Sequence, residues 1–119
     1  MKIAIPSESP GGREAMVALH FGRCGFYTIW DTTTEEFEII ENTSNHFGGA
    51  KAPPELLAGM GIQILLCGDI GPRALTMFKE FGVDVYVGAQ GTVADSISRW
   101  REGLLKLAND DDVCEEHRR

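Results

Sequence analysis

The sequence predicts an α/β fold, a mixed sheet of five strands with helices packed on it. Three observations carry that prediction. Ile62–Cys67 is a near-continuous apolar run, the mark of a strand covered on both faces. It breaks directly into Gly68-Asp69-Ile70-Gly71-Pro72, a glycine turn leading into a helix start. Strand-like and helix-like runs alternate through the second half, so those strands should lie parallel with right-handed crossovers. Finally, Phe26–Asp31 and Phe37–Asn42 are separated only by a turn. They should form an antiparallel hairpin at one sheet edge.

In chain order, Lys2–Ile5 reads as a first strand ended by Pro6. A long connection follows, Ser7 to about Cys24, in which Met16–Leu19 can add a brief extended piece. After the hairpin and a polar loop, Asn42–Ala52, the prolines of Pro53-Pro54-Glu55 suit the first turn of a short helix that Gly61 ends. The central strand Ile62–Cys67 leads to a helix over Pro72–Phe81, with Gly82 as its stop. Val83–Val87 alternates with period two and is the last strand. Thr92, with Asp95 three residues on, should cap the final helix. Val93, Ile97, Trp100, Leu104 and Leu107 mark one face of that helix, which predicts it as far as Leu107. Residues 1–108 are therefore expected to form one domain. Asn109–Arg119, charged and without periodicity, is expected to be a frayed tail.

The chain has 119 residues, 43% hydrophobic and 24% charged, enough apolar material for one core. No stretch approaches the roughly 18 apolar residues of a membrane span, so no membrane partner is expected. The formal net charge of −7 argues against a nucleic-acid partner, whose affinity comes mostly from phosphate neutralisation. Three widely spaced cysteines, Cys24, Cys67 and Cys114, do not suit a disulfide framework and point to a reducing cytoplasm.

The loops after the first, fourth and fifth strands leave from carboxyl ends, the edge where open α/β sheets bind ligands. The first of them carries His20, Gly22, Arg23 and Cys24. Thiolate and imidazole are the donors that suit an iron–sulfur or thiometal centre, and Arg23 between them would offset the charge of an anionic cluster. The plain alternative is that Cys24 is a small buried hydrophobe and His20 a satisfied loop residue. Cys67, at the end of the central strand, is either a second thiol near the same crevice or packing. Gly68, Asp69, Gly71 and Arg73 form either an anion cradle or only a tight turn served by Asp69. Cys114 with His117, and His46 beside Gly48-Gly49, are further residues of metal-binding type, each more simply read as surface.

The topology is also similar to that of nucleases of the ribonuclease H type, but the first strand carries none of the acidic residues such enzymes need. Neither Gly-x-Ser-x-Gly nor His-Glu-x-x-His occurs. The sequence therefore points away from an enzyme.

Three motifs in order, His-Phe-Gly-Arg-Cys (20–24), Cys-Gly-Asp-Ile-Gly-Pro-Arg-Ala (67–74) and Gly-Val-x-Val-Tyr-x-Gly-Ala-x-Gly-x-Val (82–93), resemble the dinitrogenase iron–molybdenum cofactor biosynthesis family. These are the small NifX-like domains, also found at the C-terminal end of NifB-type proteins. The resemblance implies a ribonuclease-H-like three-layer α/β/α fold. It also implies a non-catalytic role, binding or carrying an iron–sulfur or iron–molybdenum cofactor precursor between metallocluster assembly proteins. The ligand set would be Cys24 and His20, and a monomer or weak dimer is expected. Two other readings stand beside it: a small-anion or nucleotide sensor using the helix starts at Gly71 and Gly91, and a ligand-free interaction module pairing through Phe37–Asn42.

Overall fold

The computed structural model describes residues 1–21, 23–42 and 52–108. The sheet contains β1 (Lys2–Ser7), β2 (Phe26–Asp31), β3 (Phe37–Glu41), β4 (Ile62–Leu66), β5 (Asp84–Val87) and β6 (Lys106–Leu107). The helices are α1 (Pro53–Gly59), α2 (Pro72–Glu80) and α3 (Val93–Arg101), with a 3₁₀ turn at Gly12–Glu14.

The strand order is β3-β2-β1-β4-β5-β6. β1 pairs antiparallel with β2 and parallel with β4. β4 and β5 are parallel, as strands joined through a helix should be. The hairpin β2–β3 closes one side, with Trp30 opposite Phe37. Pro6 does not end β1: it pairs with Tyr27 and the strand runs on to Ser7. A bulge sets Lys2 against Ile62 but Ile3 against Ile64. The skipped Gln63 lets Ile62 and Ile64 join opposite layers of the core.

Two apolar clusters occupy the two faces of the sheet. Ala4, Tyr27 and Leu65 pack with Leu57 of α1 and Leu75 and Phe78 of α2. Ile3, Ile5, Trp30 and Leu66 pack with Val93 and Ile97 of α3. Alternate residues of β1 thus serve alternate layers, which explains why the middle of β1 and the end of β4 are continuously apolar.

The expected five strands become six, and the final helix stops early. α3 ends at Arg101 rather than Leu107. Gly103 takes φ +74°, the left-handed conformation that favours glycine. Its N–H donates to Trp100 O at 3.0 Å, and that of Leu104 to Arg99 O at 2.8 Å, a Schellman closure. The chain then turns back so that Leu107 pairs antiparallel with Tyr86. Leu104 and Leu107, which mimic a continued helical face, are 64% and 53% exposed, while Leu105 and Ala108 are buried instead.

The start of α3 is as expected. The Asp95 N–H donates to Thr92 Oγ1, and the Thr92 N–H to Asp95 Oδ2, both at 3.1 Å. The short Asp side chain completes the capping box, and hydrogen bonds from Thr92, the backbone N–H first, hold its carboxyl below the usual Asp range. The predicted tail and the residues His46, Gly48, Gly49, Cys114 and His117 lie outside the described residues.

Candidate functional site

Three loops meet at the carboxyl edge of β1, β4 and β5. The long connection after β1 runs along both of the others. Met16 bridges to Thr92, and the Val17 N–H donates to Gly91 O at 2.9 Å. Further along, His20 bridges in parallel to Asp69. Gly68 is the tightest point of this junction. A Cβ there would lie 3.0 Å from Leu19 O and 3.4 Å from Ala89 O, both backbone atoms. The Gly88 N–H donates to Gly68 O at 3.2 Å and closes the third side. A side chain at 68 would press on two other backbones, so glycine suits this junction.

His20 Nδ1 lies 3.0 Å from Asp69 Oδ1. A carboxylate only accepts, so in the neutral imidazole this contact places the proton on Nδ1 and leaves the Nε2 lone pair available. A carboxylate on the far nitrogen is how proteins orient a histidine that binds metal. The pair is half-exposed, at 53% for the His20 side chain and 38% for that of Asp69. It sits beside an open depression of about 370 Å³ whose lining includes Glu8, Leu19, His20, Arg23 and Cys24. Leu19 is 67% exposed and forms an apolar lip.

Cys24 and Cys67 have different settings. Cys24 is almost wholly buried, yet it lines the depression beside His20 and Arg23. The Asn42 amide donates to Cys24 O at 2.9 Å and fixes the backbone where the loop enters β2. Cys67 is completely buried, with Sγ 3.7 Å from Tyr86 O. Burial, helped by the charge of Asp69, pushes its thiol well up and keeps it neutral. Arg23 and Arg73 are exposed, and Gly71 is the residue before α2, accepting from the Leu75 N–H at 3.1 Å. Gly22 is outside the described residues.

Sequence reasoning missed one residue. Tyr27, on β2 three residues past Cys24, is fully buried, and its hydroxyl makes no well-formed hydrogen bond. Leaving such a group unsatisfied costs about 1–3 kcal/mol. Burial and the neighbouring Cys24 thiol both push the phenol far up. An aromatic residue in a strand reads as core, so no signal in the sequence distinguishes this hydroxyl from an ordinary one.

Comparison with known proteins gives this rim a context. The chain is 33% identical over 111 residues to an uncharacterised protein of Methanocaldococcus jannaschii, covering 89% of this chain and 90% of that one. Its fold matches the apo form of the orange protein from Desulfovibrio gigas with TM-score 0.81 and 28% identity, over 90% of this chain and 92% of that one. A candidate NifB protein from Thermotoga matches with TM-score 0.74 and 30% identity, over 89% and 91% of the two chains. The family model described as dinitrogenase iron–molybdenum cofactor matches residues 1–103, a span that contains all three meeting loops. The chain belongs to the dinitrogenase iron–molybdenum cofactor family.

Proposed function

We propose that this protein binds an iron–sulfur or iron–molybdenum cluster precursor as cargo and hands it between assembly proteins, without catalysing a reaction. The observation that carries the reading is the His20–Asp69 pair, an imidazole already oriented by a carboxylate, on an open depression that Cys24 also lines. Among the described residues no three His, Cys, Asp or Glu side chains are grouped to hold a metal ion. That donor set does not suit a closed single-ion site, which wants three or four protein ligands. It suits a preassembled cluster whose remaining positions are filled by sulfide or other non-protein ligands, not an ordinary four-cysteine iron–sulfur site.

In this reading His20 offers Nε2 and Cys24 its thiolate. Arg23, exposed at the same depression, balances the negative charge of the cargo. The openness of the site and the apolar lip at Leu19 favour transfer over permanent retention, since a partner can reach both.

Anaerobic reconstitution with ferrous iron and sulfide, with and without molybdate, tests this directly. Metal analysis should find bound iron with visible charge-transfer absorption in the natural protein. The double variant His20→Ala, Cys24→Ala should fall at least tenfold, while its melting temperature shows that it is folded. Undiminished uptake by that folded variant would overturn the ligand assignment.

A further inference from the structure

Tyr27 is the one buried side chain, among the described residues, with a polar atom left without a well-formed hydrogen bond. Phenylalanine would fill the same space without that cost. The ring has no freedom to carry the hydroxyl elsewhere. Its backbone is paired on both sides, to Pro6 of β1 and Ile40 of β3. Phe21 packs against the ring at 6.0 Å between centroids, and Phe21 is itself braced edge-on against Phe78 at 5.2 Å. Cys24 belongs to the same buried cluster as Tyr27, and its thiol is a neighbour that pushes the phenol up.

A phenol has one proton to donate at neutral pH, and a thiolate is an acceptor. A hydrogen bond to a sulfur ligand draws charge from it and orients it. We infer that Tyr27 is a positioning residue for the candidate site: its O–H donates to the Cys24 sulfur when that sulfur is a thiolate bound to metal. The inference rests on the reading that Cys24 is a ligand. It explains why the core keeps a hydroxyl that the metal-free fold does not satisfy.

The test uses cobalt(II) as the probe, added anaerobically to the full chain, with thiolate-to-cobalt charge transfer in the near ultraviolet as the readout. Cys24→Ala should lose the band; if it keeps the band, or the natural protein shows none, the ligand reading fails and this inference falls with it. Where the band depends on Cys24, Tyr27→Phe should shift it to longer wavelength and weaken cobalt binding several-fold. The metal-free Tyr27→Phe protein should melt no lower than the natural one. A Cys24-dependent band with unchanged position and affinity in Tyr27→Phe overturns the role of the hydroxyl alone. So does a markedly lowered melting temperature of the metal-free variant, because the hydroxyl would then be serving the fold.

Discussion

Phe78→Ala is expected to cost about 3–5 kcal/mol of stability, the range for deleting a fully buried aromatic ring. Phe78 is wholly buried on α2 and packs in the layer that contains Tyr27, Leu65 and Leu75. Its ring also braces Phe21, which stands one residue after His20. The void would therefore open beneath the candidate site as well as within the core. For a chain of this size the loss corresponds to a fall in melting temperature of roughly 10–20 °C. A calorimetric scan checks it, and a fall of only a few degrees would show that the core refills the space. Phe78→Leu keeps most of the volume and should lose much less.

Gly68→Val is the second substitution with a large expected effect. A Cβ at this position already meets two backbone oxygens, those of Leu19 and Ala89. Backbone gives way less readily than the end of a side chain, and valine adds two further methyl groups. Overpacking of this kind costs about 1–3 kcal/mol. The functional effect should be larger than the stability effect, because the neighbour that must move is the residue before His20. The His20–Asp69 contact, at 3.0 Å, joins the same two loops. Iron uptake in anaerobic reconstitution should drop nearly as far as when His20 and Cys24 are both removed, in a protein that still unfolds cooperatively. Natural levels of uptake in Gly68→Val would mean that the junction of the loops is not needed for binding.

Much of this architecture was legible because it is written in local patterns. β2 has the predicted bounds, Phe26–Asp31, since aromatic and β-branched residues fill it between a glycine and an Asp-led turn. The Thr92–Asp95 box follows from two residue types at fixed spacing. The error at the end of α3 has the opposite cause. Leu104 and Leu107 continue the helical spacing by coincidence, and the conformation of Gly103 outweighs it. A two-residue edge strand such as β6 has no periodicity to read and exists because β5 offers it a partner.

At the site, the residues were nameable but their pairing was not. His20 and Asp69 stand 49 positions apart, and only the sheet order makes them neighbours. The sequence likewise leaves both Cys24 and Cys67 open between a site thiol and packing, although only Cys24 is put in the ligand set. Their settings separate them: Cys24 lines a depression, and Cys67 is sealed just past the end of β4. The hydroxyl of Tyr27 has no local signature, because what sets it apart is burial without a well-formed hydrogen bond.

X-ray absorption at the iron edge of the anaerobically reconstituted protein tests the proposed binding site most directly. The proposed site predicts the outer-shell scattering of an imidazole, lost in His20→Ala, and fewer sulfur neighbours per iron in Cys24→Ala. Spectra of both folded variants that match the natural protein would contradict it, because the iron would then be held somewhere other than where these loops meet.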